Sequence, residues 1–76
     1  MMEFKKIAAI LRENGAVKEG KILPSDRLQE DLLLNSLGLM MILVSLENEL
    51  GTPLDVNQFS NVKTAGELFE LIQREG

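Results

Sequence analysis

The sequence predicts an all-α fold: a small three-to-four-helix bundle with a long loop between helices 1 and 2. Three observations carry this expectation. Apolar residues recur at helical spacing in several segments, each bounded by residues that start or stop helices. No alternating strand pattern and no hairpin turn separates them. The length, 76 residues, suits one domain (1–76) with one small core, so the architecture has to be simple and locally encoded.

The first helix is expected from about Met2 to Asn14. Phe4, Ile7, Ala8 and Leu11 share one face, and Lys5, Lys6, Arg12 and Glu13 take the other. Asn14-Gly15 is a stop, because both residues tolerate the left-handed conformation of a helix end. Residues 15–35 then form a long connection containing Gly15, Gly20, Pro24 and Ser25. Ser25-Asp26 suits the cap of a brief turn. Val17, Ile22, Leu23, Leu28 and Leu32 are expected to pin the connection to the core, and long loops held in this way tend to be functional.

The second helix is expected from Ser36 to Leu50, ended by Gly51 and Pro53. A short third helix follows over Val56 to Ser60, with Asp55 as its cap. The fourth opens at Thr64-Ala65-Gly66-Glu67, a capping box with threonine at the cap and glutamate three residues later. It continues through Leu68, Phe69, Leu71 and Ile72 to about Arg74.

Composition narrows the chemistry. Cysteine and histidine are both absent. That removes disulfides, thiolate metal sites, cysteine nucleophiles, the commonest general base and every Ser-His-Asp arrangement. No metal site and no catalytic group are expected. The carboxylates stand at helical spacings typical of a solvated face. The net charge of −4 repels phosphate backbones, so nucleic acid is an unexpected partner. The longest apolar run, Leu39 to Val44, has six residues, far short of the ~20 needed to span a membrane. The N-terminal residues lack the apolar stretch of a secretory signal. A monomer in the cytoplasm is the expectation.

The second helix carries two apolar stripes. At about 100° per residue, Leu39, Ile42, Leu43, Leu46 and Leu50 share the face expected to enter the core. Leu37, Met40, Met41 and Val44 fall roughly opposite, with Asn48 at the far end of that face. Either the loop covers this second stripe, through Leu32, Leu33 and Leu34, or the stripe is open to a partner. The two methionines favour a contact surface, since flexible thioethers adapt to varied partners.

Ser36 stands at the start of this helix. Amide groups there lack partners and the helix dipole is positive, so a phosphate on Ser36 would be stabilised. Serine near a helix start is also an ordinary cap, and Asn35 is an equally good one. Position alone leaves both roles open.

Several motifs and their spacing decide further. Asp31-Leu32, Asn35-Ser36-Leu37, Leu46-Glu47-Asn48-Glu49-Leu50, Pro53-Leu54, Val62, Thr64 and Leu71-Ile72 occur in that order. Together with length, acidity and helix order, they make the chain resemble the acyl carrier proteins over nearly its whole length. The resemblance implies that Ser36 bears 4′-phosphopantetheine, installed from coenzyme A by a phosphopantetheinyl transferase with magnesium. The arm's thiol would hold an acyl group as a thioester for acyl-transferring and acyl-modifying enzymes. The reactive group then belongs to the prosthetic arm, which accounts for the missing cysteine and histidine. Residues implied for partner docking are Asn35, Leu37, Gly38, Met40, Met41, Val44 and Glu47. Residues implied for an acyl pocket are Ile42, Leu43, Leu46, Phe59, Val62, Leu68 and Ile72, each of which also suits plain core packing. A peptidyl or alanyl carrier, and a helical interaction module without a prosthetic group, are the alternatives.

The chain departs from the family pattern at three places. Asn35 replaces the usual aspartate before the serine. Leu33 stands where glycine is common. Gly38 and Met41 occupy the positions, two and five residues after the serine, where carboxylates usually meet basic patches on partner enzymes. Acidity near the helix persists only at Glu30, Asp31, Glu47 and Glu49. These departures point to docking through the apolar stripe, and to a specialised pathway.

Overall fold

The computed structural model describes residues 2–75. It contains α1 (Phe4–Glu13), α2 (Ser36–Leu50), α3 (Val56–Ser60) and α4 (Ala65–Glu75). No strand occurs among the described residues, only an isolated antiparallel bridge between Arg27 and Thr64. The fold is therefore all-α, as the periodicity requires.

The helix ends follow from their caps. α1 starts two residues later than the spacing suggests, because Glu3 keeps an extended backbone and serves as the cap position. It ends at Asn14, whose side-chain amide donates to the Ile10 carbonyl at 2.9 Å and to the Ser45 hydroxyl at 3.3 Å. Gly15 then takes a φ of 112°, where a side chain would be strained. α2 ends in the left-handed Gly51, whose N–H donates to the Glu47 carbonyl. Asp55 caps α3 through the Asn57 N–H at 2.8 Å. The capping box of α4 is complete: the Glu67 N–H donates to the Thr64 hydroxyl, and the Glu67 carboxylate accepts from the Thr64 and Lys63 amides.

Residues buried from all four helices and from the connection form one apolar cluster. α1 packs against α2 and α4, and α3 packs against α4. Phe4 and Phe69 close one end of the bundle edge to face, with ring centroids 5.8 Å apart. Lys6 of α1 reaches Glu49 of α2 at 3.3 Å, an exposed pair worth little on its own.

The long connection is held by backbone hydrogen bonds as well as by apolar anchors. Ile22, Leu28, Leu32 and Leu34 are buried, while Val17 and Leu23, also expected as anchors, are exposed. An irregular segment has no period, so the buried subset could not be read from spacing. The Gly66 N–H donates to the Pro24 carbonyl at 2.8 Å, Ala65 N–H to Asp26 at 2.9 Å, and Leu28 N–H to Lys63 at 2.9 Å. These bonds lay the connection across the start of α4.

Asp26 sits at the centre of that clamp. Its carboxylate accepts from the Leu23 N–H at 2.7 Å and from the Lys18 ammonium. The Leu23 amide, followed by Lys18, holds its pKa below the usual carboxylate range. A carboxylate with a depressed native pKa contributes stability above its unfolded value, about 3.9. That contribution fades as pH falls toward the native value. Asp26→Asn should therefore lower the thermal midpoint at pH 7, and the gap to the parent should close as melts are repeated toward pH 3. A second expectation concerns Gly66. A Cβ there would lie 2.9 Å from the Pro24 carbonyl oxygen, so backbone has to shift. Gly66→Ala should destabilise by about 1–3 kcal/mol in urea unfolding, despite the better helix propensity of alanine.

Candidate functional site

The start of α2 is built by Asn35. Its backbone is extended, and its side-chain oxygen accepts from the Gly38 N–H at 2.8 Å. Asn35 is thus the cap, and Ser36 is the first helical residue. The Ser36 side chain is exposed, and its hydroxyl makes no hydrogen bond among the described residues. The first turn places the free hydroxyl beside unpaired helix amides and the positive end of the helix dipole.

Leu33 turns the chain into this mouth. It is the single non-glycine residue with positive φ among the described residues, at 59°, and it is 64% exposed. For an L-residue that conformation costs about 1–2 kcal/mol. A glycine at this position would adopt it freely. Leu32 and Leu34, on either side, point into the core.

The second stripe of α2 is open. Leu37, Met40, Met41 and Val44 are each at least half exposed, and the loop does not cover them. Gly38, implied for docking, is instead buried. A Cβ there would lie 3.2 Å from the Asn14 carbonyl and 3.5 Å from a Leu34 methyl. Gly38 thus lets α2 approach the end of α1 closely, and a side chain at this position would press on the Asn14 carbonyl. Glu47, also implied for docking, is half buried and accepts from the Leu54 N–H at 2.9 Å.

Between the connection, α2 and α3 lies an open cavity of about 270 Å³, with Ser36 on its rim. Of the residues implied for an acyl pocket, Leu43, Phe59 and Val62 line it. Ile42, Leu46, Leu68 and Ile72 are almost wholly buried and belong to the core. Leu28, Leu39, Met40 and Val56 also line the cavity, and sequence reasoning missed all four in that role. Helical phase placed Leu39 in the core and Met40 outside. Both in fact flank the gap where the long connection and α3 meet α2.

Of the nearby carboxylates, Glu30 lines the cavity itself. Arg27 holds Glu30 at 2.7 Å and Asp31 at 3.2 Å. The Arg27 side chain, and then its amide, lower the Asp31 pKa. Among the described residues no cluster of acidic side chains could hold a metal ion, and no helix is long and apolar enough to cross a membrane.

Comparison with known proteins gives this arrangement a family. The model of the phosphopantetheine attachment site matches residues 5–72. The chain belongs to the acyl carrier protein family. Among curated relatives, the acyl carrier protein of Saccharopolyspora erythraea is 31% identical over 90% of this chain and 72% of its own length. That of Thermotoga maritima is 26% identical over 95% of this chain and 89% of its own. A solved structure from Mycobacterium tuberculosis, described as an acyl carrier protein, superposes with a TM-score of 0.86 at 22% identity. It covers 96% of this chain and 97% of its own, which bears on the fold alone. The prosthetic group of this carrier is therefore 4′-phosphopantetheine, and the carrier is not itself an enzyme. A carrier of this kind works with a phosphopantetheinyl transferase and with enzymes that handle its acyl group.

The strained Leu33 of the carrier gives a direct test. Leu33→Gly should raise stability by about 1 kcal/mol in urea unfolding, because an exposed leucine returns little packing.

Proposed function

We propose that Ser36 is the attachment residue of this single carrier domain, and that the loaded arm carries an acyl intermediate for a specialised fatty-acid, polyketide or lipid pathway. The observation that carries the reading is the separation of duties at the start of α2. Asn35 does the capping, through the Gly38 amide, and the serine hydroxyl remains exposed. The group fits the site. An oxygen at this position is open to attack on a phosphoanhydride, and the amides and dipole of α2 would hold the resulting phosphodiester. Attachment bonds the Ser36 oxygen to the phosphorus next to the pantetheine, breaks the phosphoanhydride bond of coenzyme A with adenosine 3′,5′-bisphosphate as leaving group, and releases the hydroxyl proton. This chain has no histidine to take that proton.

The cavity at the rim of Ser36 suits part of an acyl chain. Leu39, Leu43, Phe59 and Val62 offer an apolar lining, and burial there would shield a tethered chain from water. The names of both curated relatives support an acyl cargo over a peptidyl one. The cytoplasm, where coenzyme A and the transferase meet the chain, is the proposed location.

Intact-mass measurement tests the assignment. After incubation with coenzyme A, magnesium and a broad-specificity phosphopantetheinyl transferase, the parent protein should gain the mass of one phosphopantetheine group. Ser36→Ala should gain none while keeping its helical circular dichroism. An adduct on Ser36→Ala would move the attachment to another residue.

A further inference from the structure

We propose that the enzymes acting on this carrier grip an uncharged apolar collar beside Ser36, formed by Leu33, Leu37, Met40, Met41 and Val44, and meet it with an apolar surface rather than a basic patch. The proposal rests on Ser36 as the loading residue.

The collar is one continuous feature. Leu37, Met40, Met41 and Val44 follow the spacing that places side chains on a single helix face, and each is half exposed or more. Leu33 joins them at the mouth, held outward in its left-handed conformation. Its own fold does not repay that conformation with burial, and strain kept at a site in this way points to use.

Charge decides what kind of surface matches it. From Leu32 through Leu46 the sequence contains no charged residue. The carboxylates beyond either end of that run already have partners. Glu30 and Asp31 share Arg27, Glu47 receives the Leu54 amide, and Glu49 pairs with Lys6. Glu47 also lies about 16 Å along the helix from Ser36, roughly two screening lengths at physiological salt. A basic patch centred on the serine would therefore lose water and meet only Glu30, which lines the same cavity and is already held by Arg27. An apolar surface would find five exposed side chains, two of them adaptable methionines.

A second copy of this chain is a poor occupant. A stable interface enlists about 20–30 residues a side, and each copy carries a net charge of −4 that opposes self-association.

Steady-state loading by a broad-specificity phosphopantetheinyl transferase is the test, with the full-length apo protein as substrate. The specificity constant should change by no more than about threefold between about 50 mM and 500 mM salt. Met41→Ser/Val44→Ser should raise KM about tenfold with kcat nearly unchanged, while its melting curve shows an intact fold. Glu49→Gln should leave KM within about twofold of the parent. A steep fall of the specificity constant with salt would overturn the proposal. So would an unchanged KM in the double serine variant, or sedimentation as a dimer that this variant dissociates. Those results leave Ser36 as the loading residue. A parent protein that takes no phosphopantetheine at any salt concentration removes the Ser36 reading, and this one with it.

Discussion

The hydrogen-bonded clamp between the long connection and the start of α4 is the constraint on which the site depends. A connection of this length has no helix or sheet of its own to satisfy its backbone. The amides of Gly66, Ala65 and Leu28 solve that problem by pairing the two segments through Pro24, Asp26 and Lys63. The pairing also positions everything downstream. Leu28 and Leu32 are drawn into the core, the turn at Leu33 is set, and Asn35 arrives where it can cap α2. The approach is close enough that Gly66 has no room for a side chain. The α4 capping box reinforces the same corner, because Glu67 accepts from the Lys63 and Thr64 amides.

α2 then serves two environments at once. One face supplies Ile42, Leu43 and Leu46 to the core, and the other leaves Leu37, Met40, Met41 and Val44 in water. A helix apolar on nearly every side is ordinarily buried on every side. Here the bundle is too small to cover it. Gly38 fixes how the helix sits by letting its first turn press against the end of α1. Asn14 secures the same junction through Ser45. The exposed stripe is therefore held in place by the packing of its opposite face.

The elements themselves were legible in the sequence because caps and stops are local. Asn14-Gly15, Gly51, Asp55 and the Thr64–Glu67 box act over one helical turn, and the helices end where these residues say. The core face of α2 was equally readable, from its periodicity. Contacts made through the irregular connection were not. Nothing in the spacing separates Ile22, which is buried, from Val17 and Leu23, which are exposed. Gly38 looked like a missing docking acid, yet it is a point of close packing with a segment more than twenty residues away in sequence. The acyl-pocket residues divide for a related reason. Apolar character alone cannot tell Leu68, sealed in the core, from Val56, which lines a cavity only because α3 lies beside the connection.

The absence of charge between Leu32 and Leu46 also has a kinetic side. Electrostatic steering raises association rates well above the unassisted value of about 10⁵–10⁶ M⁻¹s⁻¹. The proposed collar adds nothing to it, and only the net charge of −4 carried by the rest of the chain contributes. Encounters then occur at the ordinary rate set by diffusion and orientation, and discrimination between enzymes falls to how long each complex lasts. Such a carrier would compete poorly for partners recruited at long range by acidic rivals. Isolation of one acyl pathway from another can thus arise from fifteen neutral residues, without any repulsive contact.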